Sequence, residues 1–217
     1  SLEKFFALAL SPYISPPMYT ASAPYFIASL STSRQLAGIN SSGFFITKFP
    51  LQNEITMVDV GQGDSLFLRD WKGRNVLIDV GGHEEIRTKE SWQKRTTKSN
   101  AEKTLILYLK SRGIDTIDTL ILTNPNTDYA GDVLKVVKKF AVKKIFISRS
   151  SLNDADFLNK LKETRAFVHV VKQGDKLPIF DHYLQVLSGT NKNDRSLVLY
   201  GQFFRTRFLF MSNLTEE

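Results

Sequence analysis

From Glu54 onward the chain runs through short apolar segments in an order that few folds accommodate: a β-meander, then strand–helix units, then more strands. Residues 55–60, 65–69 and 75–80 read as strands, with Gly61-Gln62-Gly63 as a turn and a hairpin through Trp71-Lys72-Gly73. Gly81-Gly82 ends the third strand abruptly. Residues 102–111 have helical spacing, with Leu105, Tyr108 and Leu109 on one side and Gly113 as the stop. A buried-type strand over 119–123 leads into a loop at 124–128. The spacing then predicts a helix over 131–140, with Val133, Leu134, Val137 and Phe140 inward and Lys135, Lys138 and Lys139 outward. A strand over 144–148, a helix over 153–164 capped by Asp154 or Asn153, and a strand over 167–171 follow, with a turn at Gln173-Gly174-Asp175. Residues 183–187, 196–200 and 207–211 read as three antiparallel strands, and there is no internal repeat. The fold class this implies is α/β.

Residues 1–53 have a different texture and read as an irregular N-terminal segment and linker, so 54–217 is expected to be the domain. The first part holds five of the seven prolines. Residues 5–33 carry no charge, but Pro12, Pro16, Pro17 and Pro24 interrupt them, which argues against one spanning helix. A chain that starts at Ser1 is expected to be a fragment or a processed product. With no cysteine, disulfides, thiolate nucleophiles and Cys-based zinc sites are excluded. The net charge of +7 favours anionic partners such as nucleic acid or an anionic lipid surface, and equally fits plain solubility.

A tight loop after a buried strand is a favoured place for a metal site, because the strand holds the ligands rigidly. Metallo-β-lactamase-like enzymes place His-x-His-x-Asp-His there, before a helix that starts with Gly. Neutral imidazole and carboxylate suit zinc or manganese. The equivalent run here is Asn124-Pro125-Asn126-Thr127-Asp128-Tyr129, followed by Ala130-Gly131. The frame matches, but Asn124, Asn126 and Tyr129 stand at three ligand positions. A carboxamide is a poor replacement for imidazole, and a phenol that titrates near about 10 stays protonated. Asp128 is retained.

Around that loop lie Val58-Asp-Val-Gly-Gln-Gly-Asp-Ser65, Leu77-Ile-Asp-Val-Gly-Gly82, Tyr108-Leu-Lys-Ser-Arg-Gly113 and Asp118-Thr-Leu-Ile-Leu-Thr123. With Asn193-Asp-Arg-Ser-Leu-Val-Leu199 and Phe208-Leu-Phe-Met-Ser-Asn-Leu-Thr-Glu216, they closely resemble the extracytoplasmic or C-terminal domain of the ComEC DNA-internalisation family, over about residues 44–217. The resemblance implies a metallo-β-lactamase-like αββα sandwich, incomplete at the C-terminus and so open to an exposed edge and apolar face. It implies a soluble, cell-membrane-associated domain of a competence protein that imports single-stranded DNA for transformation, beside a membrane-embedded channel and with no small-molecule substrate. In that family the domain is proposed to be a nuclease holding zinc or manganese. The pattern is broken twice more: Ser212-Asn213 replaces a Gly-Asp pair, and a further His-bearing segment is expected beyond Glu217. One retained ligand, Asp128, is too few donors to fix a divalent cation, so no cofactor is expected.

Asp64 and Asp79 are candidate extra oxygen donors, but strand-end aspartates more often hold turns through backbone hydrogen bonds. His83 follows Gly81-Gly82, His169 alternates with valines on a strand, and His182 lies in a turn; none has a second His at ligand spacing. Two basic clusters remain. Lys135, Lys138, Lys139, Lys143 and Lys144 form one, and Arg87, Lys89, Lys94, Arg95 and Lys98 surround Trp92 in the other. Cations interleaved with an aromatic suit a single-stranded backbone with occasional base stacking, and equally fit a solvated surface. Three readings follow: a non-catalytic DNA-handling domain, a residual metal-dependent nuclease using Asp79, Asp128 and Asp64, or a degenerate remnant without activity.

Overall fold

The computed structural model describes residues 50, 52–82, 99–188 and 196–211. Strands β1 (Glu54–Met57), β2 (Leu66–Arg69) and β3 (Asn75–Ile78) form an antiparallel meander. Helices α1 (Asn100–Lys103) and α2 (Leu105–Ser111) lead to β4 (Thr116–Leu122). Next come the short α3 (Thr127–Ala130), α4 (Val133–Lys139), β5 (Ala141–Ser148), a 3₁₀ turn over Arg149–Asn153, α5 (Ala155–Lys162) and β6 (Phe167–Val171). The chain closes with β7 (Lys176–Ile179), β8 (His182–Ser188), β9 (Val198–Phe203) and β10 (Thr206–Met211).

The strands make two sheets, ordered β1-β2-β3-β4-β5-β6 and β10-β9-β8-β7. Pairs from β3 to β6 are parallel, because each connection runs through a helix; the second sheet is antiparallel throughout. Alternation along the strands sends side chains to two cores. Phe67, Leu77 and Leu120 meet Leu105, Leu109, Val133, Val136 and Phe157 on the helical side. Leu66, Leu68, Ile78 and Ile121 meet Leu184, Leu199 and Phe210 between the sheets. Burying such side chains contributes about 1.5–3 kcal/mol each and sets the layer order of helices, sheet and sheet.

Several details differ from the sequence reading. The helix expected over 102–111 begins earlier and is broken at Thr104. Its start is a capping box: Ser99 N donates to Glu102 Oε2 (3.1 Å), and Glu102 N donates to Ser99 Oγ (3.3 Å). On α4, Val136 is fully buried, whereas Val137 is only partly so. Asp154 is the cap of α5, accepting from Phe157 N (2.9 Å). Strand β7 was not expected; Pro178 argues against a central strand, and β7 sits at a sheet edge where the missing donor costs nothing. At the other sheet's edge β6 leaves Phe167, Val168 and Val170 exposed.

Candidate functional site

The loop that follows β4 sits on glycines from three segments. A Cβ at Gly63 would lie 1.5 Å from the Asp128 carbonyl oxygen. One at Gly82 would lie 2.0 Å from the Thr127 carbonyl oxygen, and one at Gly131 2.4 Å from the same atom. Only bare backbone fits at these three positions, so the glycines of the Asp-Val-Gly-Gln-Gly-Asp and Asp-Val-Gly-Gly strings are there for close approach. Val80 N donates to the Tyr129 carbonyl (2.9 Å) and Asp132 N to that of Gly81 (3.1 Å), completing the seam.

Within this frame the positions that correspond to ligands hold Asn124, Asn126, Asp128 and Tyr129. Asn124 is buried; its Nδ2 donates to Ser196 Oγ (2.9 Å), and its Oδ1 accepts from Asn126 N (2.9 Å). Both ends of the carboxamide are therefore used inside the protein. Asn126 is exposed at the start of α3, and its carbonyl accepts from Tyr129 N and Ala130 N. Tyr129 is buried at 5% exposure. Asp128 Oδ1 accepts from Gln62 Nε2 (2.9 Å) and so ties α3 to the first turn.

Asp79 is fully buried, with φ of 58°. Its Oδ1 accepts from Thr123 N (2.8 Å) and its Oδ2 from Thr123 Oγ1 (2.6 Å). Its own N donates to Ile121 O, and its O accepts from Ser65 Oγ (2.9 Å). Four bonds thus lock the ends of β2, β3 and β4 together. Burial pushes the Asp79 carboxyl well above its ordinary pKa; the Thr123 bonds offset part of this, and nearby Asp64 adds to it.

Among the described residues no group of three or more His, Asp or Glu side chains is placed to hold a metal ion. Among the described residues the donor set does not fit zinc or manganese: an amide committed at both ends, a buried phenol, the fully buried Asp79 carboxylate and Asp128, bonded to Gln62, do not converge on one point. His83, Trp92 with its basic neighbours, and Asn213 lie outside the described residues. His169 is on exposed β6 with its ring 5.3 Å from that of Phe146, and His182 begins β8.

The lysines are partly engaged. Lys135 pairs with the buried Asp132 (3.0 Å), Lys138 with Glu163 (3.1 Å) and Lys143 with Asp118 (2.6 Å). Lys139 and Lys144 are exposed. Lys135, Lys138 and Lys139 share α4, while Lys143 and Lys144 lie at the start of β5. The exposed pairs of Lys138 and Lys143 are worth about 0–1 kcal/mol and exchange readily for another anion, whereas Lys135 is held by a buried carboxylate. Pairing was not visible in the sequence, because Glu163 and Asp118 are 25 residues away from Lys138 and Lys143.

A two-sheet sandwich with helices on the outer face of one sheet, and a strand-end loop with the ligand frame, define a metallo-β-lactamase-type domain. The chain belongs to the metallo-beta-lactamase superfamily, whose family model matches residues 58–194. It is 34% identical over 176 residues to ComE operon protein 3 of Bacillus subtilis (strain 168), covering 76% of this chain and 23% of that protein. The chain thus spans about a quarter of that relative's length. The match agrees with the ComEC-family resemblance read from the strings above. Among solved structures it is similar to Rm3 metallo-beta-lactamase (TM-score 0.48, 16% identity, covering 71% of this chain and 55% of that one). It is also similar to rubredoxin oxygen:oxidoreductase from the anaerobe Desulfovibrio gigas (TM-score 0.46, 18% identity, 69% and 36%). No helix among the described residues is long and apolar enough to cross a membrane.

Proposed function

We propose that this domain is a non-catalytic, DNA-handling part of a membrane-associated competence protein for DNA uptake, and that it works without zinc or manganese. The observation that carries the reading is the ligand loop: its backbone frame is kept by three glycine contacts, while Asn124 is spent on Ser196 and Asn126. A frame retained while Asn124 and Asp79 turn inward supports a role in binding rather than hydrolysis. Similarity to ComE operon protein 3 supports the competence context, and the net charge of +7 supports an anionic partner. Single-stranded DNA is the partner, met on the α4–β5 lysines and on Trp92, beside the membrane-embedded part of the channel. A residual nuclease would need Asp79 and Asp128 to turn toward one cation, and Asp79 has no solvent-facing oxygen to offer.

Two measurements on the purified chain test this. Elemental analysis after dialysis against zinc or manganese is expected to find well under one equivalent. Fluorescence anisotropy with a labelled single-stranded oligonucleotide is expected to show weak binding that falls steeply with salt, as counterions are released. Stoichiometric metal with cleavage of DNA would replace this reading with the nuclease. Absence of any salt-dependent binding would leave the degenerate remnant.

A further inference from the structure

At the end of β3 remote from the ligand loop, three turns far apart in sequence enclose a groove of about 720 Å³. The β2–β3 turn supplies Trp71 and Arg74, the β7–β8 turn Phe180, the start of β8 Tyr183, and the β9–β10 turn Phe204 and Arg205. Trp71 is 58% exposed and Tyr183 47%, so both rings are open to solvent. Phe180 and Phe204 stack at 5.6 Å between centroids and form a floor.

Cations lie over these rings. Lys72 Nζ is 5.5 Å from the Trp71 ring, Arg74 5.7 Å from Phe180, and Lys176 Nζ 4.5 Å from Tyr183. Arg74 makes a two-bond fork to Asp181 (2.9 Å each), and Lys72 reaches the same carboxylate (2.9 Å), so ion pairs tie the first-sheet turn to the second-sheet turn. In the groove wall Arg74 and Arg205 balance Asp70 and Asp181, with Asp70 buried against Arg74, and Lys72 and Lys176 flank it on the Trp71 and Tyr183 rings. The two flanking lysines make the surroundings net positive, and Trp71, Phe180, Tyr183 and Phe204 put aromatic faces in the wall. A volume of this size holds a nucleotide-sized group rather than a folded partner.

A hydrogen-bonded row leads from the β2–β3 turn beside the groove toward the β5 lysines. Asp118 accepts from Asn75 N (3.0 Å) through one oxygen and from Lys143 Nζ (2.6 Å) through the other. The register aligns Val76, Thr119 and Lys144 in one row across β3, β4 and β5. Adjacent strands are about 4.8 Å apart, so Lys144 stands roughly 10 Å from the β3 position two residues past Arg74.

We propose that this groove is a stacking site for bases of a single-stranded nucleic acid, with Trp71 and Tyr183 as the stacking faces and the β5 lysines continuing along the phosphates. The inference rests on the DNA-handling reading and adds where the strand is gripped. Stacking on aromatics accepts any base, so binding is independent of sequence.

The chain has two tryptophans, so in a Trp92→Phe variant Trp71 is the sole indole. Titrating that variant with an unlabelled oligothymidylate should quench its emission along the same curve that anisotropy gives for a labelled one. The double variant Trp71→Ala, Tyr183→Ala should bind about tenfold or more weakly, with the salt slope unchanged, since stacking releases no counterions. Both side chains are exposed, so the fold should survive their truncation. Binding by anisotropy with unchanged Trp71 emission, or wild-type affinity in the double variant, overturns the groove and leaves the DNA-handling reading standing. No binding by the wild-type chain overturns both.

Discussion

Replacing Asp79 separates a structural lock from a leftover ligand. In Asp79→Ala, the buried Thr123 N–H loses its acceptor, which costs about 1–3 kcal/mol. The position has φ of 58°, and a left-handed conformation at a residue other than Gly, Asn or Asp adds about 1–2 kcal/mol. The variant should therefore lose roughly 2–5 kcal/mol, a large share of a typical domain's stability. Asp79→Asn keeps the shape, can accept from Thr123 N and donate to Thr123 Oγ1, and tolerates the same backbone, so it should lie within about 1 kcal/mol of wild type at neutral pH. The pH dependence has a definite sign. Burial raises the Asp79 pKa in the folded protein above the ordinary 3.8, so the folded state holds this proton more tightly than the unfolded chain. The contribution of this group is greatest below the ordinary value and is lost as pH rises through the elevated one. Urea unfolding of wild type and both variants between pH 4 and 8 measures all of this. The advantage of wild type over Asp79→Asn should shrink or reverse as pH rises. If Asp79→Asn is as damaging as Asp79→Ala, or the difference from wild type is flat across that range, the reasoning about the buried carboxyl is wrong.

Gly63→Ala should destabilise by at least about 2 kcal/mol, because its φ of +79° disfavours a side chain and its Cβ would meet the Asp128 carbonyl; chemical denaturation checks it. Asn124→His should cost about 1–3 kcal/mol by breaking the bonds to Ser196 and Asn126 while restoring no retained metal, read by unfolding and elemental analysis. Lys138→Glu with Lys139→Glu should weaken single-stranded DNA binding and reduce the magnitude of the log–log salt slope by roughly 0.7 per lysine engaged, measured by anisotropy. Lys135→Glu is a poorer probe, since it sets a second carboxylate against the buried Asp132, whose Oδ2 accepts from Ala101 N; it should lower stability as well as binding.

Local chemistry was legible from residues alone. Glycines at 63, 82 and 131, alternating apolar runs and the Asn-Pro-Asn-Thr-Asp-Tyr string prescribe tight turns, strands and a loop with carboxamides and a phenol at ligand positions, because each depends on backbone conformation or on one side chain's own chemistry. The Ser99–Glu102 capping box is local too, a Ser three residues before a Glu, although apolar spacing alone set the helix start at 102. What only the tertiary structure decided are pairings between distant segments. Asn124 finds Ser196 across 72 positions, Lys138 finds Glu163 across 25, and Arg74 finds Asp181 across 107. The aromatic groove belongs to this second kind: Trp71, Tyr183 and Phe204 fall in or beside three separate hairpins, with no spacing that links them. They meet because the two sheets pack face to face through Leu68, Ile78, Leu184 and Leu199, and that burial places three hairpin ends side by side whatever residues they carry.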